Sequence, residues 1–339
     1  MPIRITTQPE QSVFEQVGDD TVLRAALRAG IAFPYECNSG GCGSCKFELL
    51  EGEVENLWPQ APGLTERDKR KGSLLACQCV ASTDLRIKVR TGSECAASIR
   101  PKRLGAKLTS VHEVTHDIRE FRFVSEGAAD FLPGHYAMLT IPGVDTPRAY
   151  SMSNLANSAG EWHFQIRRVA NGAATERLFH HLHPGDGVEI DGPYGLAHLR
   201  TDVARDIVCV AGGSGLAPMV SIARGASQSG MLKTRHLHFF YGGRTARDIC
   251  GETFLRELPG YGERIHFHPV VSLPGDDSGV HWSGETGFVH ELVRRVFEST
   301  LPDFEFYFAG PPPMTQTLQE MLMVGYRVPF EQIHFDRFY

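Results

Sequence analysis

Residues 36–45 read ECNSGGCGSC, a run whose residue types and spacing suit iron–sulfur chemistry. Cys37, Cys42 and Cys45 stand at C-x4-C-x2-C spacing with Gly40, Gly41 and Gly43 between them, and Cys77 and Cys79 follow in LLACQCV. This is the plant-type spacing for a [2Fe-2S] cluster, which needs four thiolates. A loop wrapped tightly around sulfur, with its amides turned inward, needs backbone angles that side chains oppose, and the glycines supply them. Zinc also takes four thiolates, but its ribbon sites draw on two matched cysteine pairs, unlike three ligands packed into one short loop. Cys77 ends the apolar run 74–76 before a strand expected over 85–89, so it is the expected fourth ligand. Cys79 is then a small buried residue.

A second group sits at 148–151, RAYS, after a strand expected over 136–141. A flavin dinucleotide needs a cation for its pyrophosphate, an aromatic ring against its isoalloxazine and a hydroxyl near its redox edge. Arg148, Tyr150 and Ser151 offer these, with Tyr150 and Ser151 the candidate catalytic pair, although strand alternation sends those two to opposite faces. Gly172, Ala173, Ala174 and Thr175 lead into a helix expected over 175–183, where free amides and the positive end of the helix dipole can bind phosphate.

A third group closes an apolar strand expected over 207–211. Gly212, Gly213, Ser214 and Gly215 lead into a helix opened by Pro218, a layout that brings amides close to a pyrophosphate although it is not G-x-G-x-x-G. Arg244 ends the next strand, 236–241, within reach of a ribose or phosphate. Gly310, Pro311 and Met314 follow the strand 304–309. All three sets lie at the carboxyl ends of expected parallel strands, where open α/β sheets bind ligands.

The elements that must position these groups fall into three stretches of a 339-residue chain, long enough for two or three cores. Residues 1–98 carry a hairpin, a short helix over 22–29 and the cysteine loop. Residues 99–105, polar, basic and broken by Pro101, read as a linker. From 106 to 201 short alternating strands separated by Gly and Pro turns suggest an antiparallel β-barrel. From 202 to 339 strands alternate with helices, the pattern of a parallel α/β domain. The net charge of -6 and the lack of basic stripes argue against nucleic acid as a partner. No apolar run reaches the ~18 residues of a membrane span, the start is unlike a signal peptide, and scattered thiols suit a reducing compartment, so a cytoplasmic location is expected. His180, His181 and His183 close the helix expected over 175–183 and are read as dipole partners, not metal ligands.

In this order the three stretches resemble the NADH-dependent reductase components of bacterial multicomponent oxygenases, those of toluene monooxygenase systems in particular. The strings YECNSGGCGSC, LEGEVENLWP, LLACQC, AGGSGLAPMVS and HFDRFY carry the likeness. The resemblance implies a plant-type ferredoxin (β-grasp) domain, a flavin barrel and a nicotinamide dinucleotide domain. It puts iron on Cys37, Cys42, Cys45 and Cys77, FAD on Arg148, Tyr150 and Ser151 with its phosphate at 172–175, and the nicotinamide dinucleotide on 212–218 and 310–314. It also implies an aromatic from Phe338 or Tyr339 near the flavin, and NADH as donor over NADPH. The acceptor it implies is an oxygenase component or a Rieske-type ferredoxin, served by a monomer. The alternative is a non-enzymatic iron–sulfur or zinc carrier with a degenerate nucleotide fold. Ala309 is a departure, since family members usually have Cys there beside the nicotinamide.

Overall fold

The computed structural model describes residues 2–92, 95–275 and 281–338; Tyr339 lies outside the described residues. Two compact units emerge. The first takes residues up to Arg103 together with 191–196, and the second takes the rest of the chain.

In the first unit, β1 (Ile3–Gln8), β2 (Val13–Gln16), β3 (Lys46–Glu51), β5 (Ser73–Leu75) and β7 (Leu85–Lys88) form one sheet in the order β2-β1-β7-β3-β5. β4 (Val54–Asn56) pairs with β6 (Cys79–Ala81) beside it. Helix α1 (Val22–Arg28) starts where Thr21 accepts a hydrogen bond from the Arg24 amide, and it buries Val22, Leu23, Ala26 and Leu27 in the core. Helix α2 (Glu66–Arg70) is opened by a capping box between Thr65 and Asp68.

The next sheet is built from β8 (Lys102–Glu113), β9 (Ile118–Ser125), β10 (Tyr136–Thr140), β11 (Arg148–Ser151), β12 (Glu161–Arg167) and β13 (Gly187–Tyr194). Their order is β11-β10-β13-β8-β9-β12, and a bridge from Met152 to Phe164 brings the outer strands together, nearly closing a barrel. The register sets Phe121 against Phe164 and Phe123 against Trp162. All four rings are buried, and the Trp162 indole donates to Ser125 Oγ at 3.0 Å, so the core's one indole N–H is satisfied.

The expected linker needs correction, because β8 already starts at Lys102. Arg103 is held there by ion pairs to Asp19 and, at 2.7 Å, to Asp20. Helix α3 also differs from expectation, running Ala173–His180. Thr175 does not cap it. Its hydroxyl turns back to the carbonyls of Val169 (3.2 Å) and Gly172 (3.1 Å), which makes Gly172 the N-cap.

The remainder is a parallel sheet, β17-β16-β15-β14-β18-β19, with β14 (Asp206–Gly212), β15 (Leu237–Gly243), β16 (Ile265–Val271), β17 (Glu285–Thr286), β18 (Phe304–Gly310) and β19 (Ile333–Arg337). Residues 207–211 are buried on both faces, which is why they read as an unbroken apolar run. Helices α4 (Leu216–Gln228), α5 (Glu252–Arg256), α6 (Val289–Phe297) and α7 (Pro312–Glu320) separate the strands. β19 was not expected. It joins by pairing with β18, and Phe335 stacks on Phe308 at 5.3 Å.

Candidate cofactor sites

The cysteine loop folds its thiols into two pairs. Cys37 and Cys42 face one another, and the hydrogen bond from the Cys42 thiol draws the Cys37 thiol down to about 5 while raising its partner. Cys45 and Cys77 form the second pair, with Cys77 lowered by the Cys45 thiol and Cys45 raised by the same contact and by burial. Amides converge on the sulfurs: Cys42 N–H donates to Cys37 Sγ and Ser44 N–H to Cys42 Sγ, both at 3.4 Å. Gly43 has φ +80, and a Cβ there would lie 2.3 Å from Gly63 O, so two loops close on each other only because neither carries a side chain. Cys79 stands apart in the core, its thiol pushed up to about 12 by burial. Four thiols with inward amides suit the thiolate, amide-rich environment an iron–sulfur cluster needs.

In the barrel, β11 carries Arg148 exposed, Tyr150 half-buried and Ser151 buried. Arg148 leans on the carbonyls of Thr146 (2.7 Å) and Pro147 (3.3 Å), so its guanidinium is held but not neutralised by a carboxylate. Burial pushes the Tyr150 phenol up to about 12, keeping it a neutral donor at working pH. Ser151 Oγ is buried with no protein partner, the kind of orphaned hydroxyl that a bound ligand satisfies. As alternation requires, Tyr150 and Ser151 point to opposite faces, and the structure does not bring both to one point. At α3, no side chain caps the first turn, and Gly172, Ala173, Ala174 and Thr175 leave its amides available.

The three strand ends of the parallel sheet meet. A Cβ at Gly212 would lie 2.8 Å from Met314 Sδ, one at Gly215 1.9 Å from Ala309 O, and one at Gly310 2.9 Å from Gly212 O. Gly215 and Gly310 therefore let backbone approach backbone, and Gly212 makes room for the Met314 thioether, the close approach that a turn around a pyrophosphate requires. Ser214 lies in the single turn between β14 and α4, and Pro218 is the third residue of α4. Pro311 is the N-cap of α7. Arg244 is exposed beyond β15, its amide donating to Asp248 at 3.1 Å. Phe338 is half-buried against the core of this sheet, and its amide donates to Gly310 O at 3.1 Å.

Three residues of these sites were not singled out from sequence. Arg167, paired with Asp117 at 2.6 Å, comes within 3.1 Å of the Cβ position of Gly213, and the Tyr241 hydroxyl donates to Gly213 O at 3.3 Å. In the first unit the exposed Trp58 ring lies 3.0 Å from the Cβ position of Gly40. Trp58 and Tyr241 stand in the strings LEGEVENLWP and YGGR without a role assigned to them there, and Arg167 is a long side chain from a distant element. His116, Asp117 and Asp248 also approach to cation-binding distance. Their carboxylates are already engaged, Asp117 by Arg167 and Asp248 by the turn it caps at Thr245. His180 and His183 face separate carboxylates, Glu176 and Asp186.

Comparison with known proteins identifies the three domains. Residues 5–82 match a 2Fe-2S iron-sulfur cluster binding domain, 105–199 an oxidoreductase FAD-binding domain and 209–320 an oxidoreductase NAD-binding domain. The chain is 42% identical to the ferredoxin--NAD(P)(+) reductase CarAd of Metapseudomonas resinovorans, with 94% of each chain covered. It belongs to the flavin iron–sulfur reductase components of multicomponent oxygenases. Another member, the xylene/toluene monooxygenase electron transfer component XylA of Pseudomonas putida, is 33% identical over 94% of this chain and 89% of its own. The solved ferredoxin reductase of carbazole 1,9a-dioxygenase superposes with a TM-score of 0.90 at 35% identity, covering 100% of this chain and 99% of its own.

As a reductase component the protein is an oxidoreductase with [2Fe-2S], FAD and NAD domains, which sets aside a non-enzymatic carrier. No helix among the described residues is long and apolar enough to cross a membrane.

Proposed function

We propose that this reductase takes electrons in pairs from NADH and delivers them one at a time to a separate oxygenase component or Rieske-type ferredoxin. The assembled thiol quartet carries this reading, because it adds a one-electron outlet to a chain whose other two domains handle electron pairs. When bound, FAD supplies the hydride-accepting and electron-splitting chemistry that no side chain can perform.

The chain's own residues bind and orient. Cys37, Cys42, Cys45 and Cys77 ligate iron. Arg148 neutralises the flavin pyrophosphate, while Tyr150 and Ser151 contact opposite aspects of the bound flavin, and the α3 amides from Gly172 to Thr175 take phosphate. Gly212, Gly213, Ser214, Gly215 and Pro218, with Arg244 and with Gly310, Pro311 and Met314, seat the nicotinamide dinucleotide. Phe338 or Tyr339 supplies the aromatic near the flavin ring. The working divisions are 1–98, 106–201 and 202–339, with the expected linker partly absorbed into β8. Exposed large apolar residues such as Val17, Val169 and Val324 are scattered, which supports a monomer, and eight cysteines with no disulfide among them support a cytoplasmic site of action.

Anaerobic NADH titration of the full-length holoprotein tests the reading. The flavin band should bleach and the reduced-cluster signal should then grow in. Cys45→Ser should keep dye reduction by NADH and lose reduction of one-electron protein acceptors. Retention of protein-acceptor activity without the cluster would overturn the proposed order.

A further inference from the structure

One side-chain amide donates to a thiol, and a second, buried one follows the first cysteine of the loop. Gln78 follows Cys77 in a single 3-10 turn, and its Nε2 donates to Cys77 Sγ at 3.6 Å. Its Cγ and the Trp58 ring both lie over Gly40, 3.3 and 3.0 Å from where a Cβ would stand on that residue. Asn38 follows Cys37 at φ +52 and is only 2% exposed. Neither its Oδ1 nor its Nδ2 has a protein partner. Asn tolerates the left-handed backbone, so the angle alone does not explain the residue. A buried carboxamide with both ends unpaired does require explanation, because such groups are almost always satisfied by something.

Hydrogen bonds to cluster sulfurs favour the more negative, reduced state and so raise the reduction potential. We propose that Gln78 and Asn38 are positioning residues that set the cluster's potential by donating side-chain N–H groups to its sulfur ligands. The proposal rests on the reading of Cys37, Cys42, Cys45 and Cys77 as the ligands. The step it governs is transfer of one electron onto the cluster. No covalent bond forms or breaks, and the amide protons stay on nitrogen.

The test uses full-length, iron-loaded protein. Gln78→Met keeps the length of the side chain and removes the donor, while Asn38→Gly keeps the left-handed backbone and removes the amide. EPR-monitored redox titration should show each variant harder to reduce. At a fixed ambient potential the reduced-to-oxidised ratio should fall severalfold in each, and about tenfold in the double variant, which corresponds to about 59 mV for one electron. Resonance Raman bands of the iron–sulfur stretches should show a smaller H2O-to-D2O shift in the variants, and NADH oxidation by dyes should not change. Unaltered potentials and isotope shifts in both variants would overturn the proposal while leaving the ligand assignment intact. Should a variant fail to load iron, pulsed EPR of the reduced wild type, labelled with 15N in its Asn and Gln side-chain amides, decides instead. Coupling to a side-chain nitrogen supports the proposal and its absence rejects it. Iron that remains bound in Cys45→Ser would instead sink the ligand reading on which the proposal stands.

Discussion

The cysteine loop and the glycine-lined strand ends solve the same problem, seating a redox group, by opposite means. In the first unit the side chains themselves are the ligands, and three of the four candidate thiols lie within one short loop. In the second unit the candidate seats are made of what is missing, and Gly212, Gly215 and Gly310 come from strand ends up to about a hundred residues apart. A thiolate site is local and depends on residue type. A backbone seat is distributed and depends on tertiary approach. The units also differ in their response to acid: residues 1–103 and 191–196 contain no histidine, so all fifteen lie in the second unit.

Substitution at the thiols should have the largest effect. Cys77→Ser should abolish the cluster, whereas Cys79→Ser should keep it, as read by iron content and visible absorption; the reverse outcome would reassign the fourth ligand. Next comes Gly215→Val. A Cβ placed 1.9 Å from Ala309 O forces β18 and α4 apart. The expected cost is about 3 kcal/mol of stability with a large rise in KM for NADH, measured by thermal unfolding and dye-linked kinetics. Gly105→Ala, where a Cβ meets open space, is the control that should change neither.

Arg148→Ala should weaken FAD binding without touching the cluster. Loss of a charge-assisted hydrogen bond costs roughly 1.5–3 kcal/mol, or about 10- to 150-fold in Kd, which flavin release measured by fluorescence can check. An unchanged Kd would remove Arg148 from the flavin seat.

The smallest effect is on stability against pH. Burial, with smaller contributions from His198 and Arg200, lowers His135 to about 3, and its Nδ1 accepts a hydrogen bond from the Leu132 amide. The unfolded chain therefore binds a proton near 6.5 that the folded chain refuses until about 3. Stability is complete above pH 6.5 and falls as pH drops toward 3, by about 2 kcal/mol at pH 5 from this residue. Denaturant melts at pH 7 and pH 5 should show the second unit losing stability first, and His135→Gln should reduce that difference by about 2 kcal/mol, leaving the part due to His198, His238 and His268. Equal acid sensitivity in the two units would erase this part of the contrast.

Much of the architecture was legible in the sequence because its signals are short-range. The alternation of 118–124, the unbroken apolar run 207–211 and the Gly-rich turns each record a local environment. The helix expected over 175–183 starts two residues earlier, because Gly172 is its N-cap and the Thr175 hydroxyl turns back to Val169, a contact that no local pattern shows. β19 was missed because an edge strand near the end of a chain gains its structure from its neighbour β18, not from its own pattern.

What the amino-acid order determined by itself was the thiol spacing, the glycine turns and the sequence of three domains, since ligand identity and backbone permissiveness are properties of single residues. Only the tertiary structure decided that Cys45 meets Cys77 while Cys79 stays in the core, that Gly215 abuts Ala309, and that Gln78 bends onto a neighbouring sulfur. The first two are distances between segments far apart in the chain, and all depend on how packing sets the loop and its neighbours.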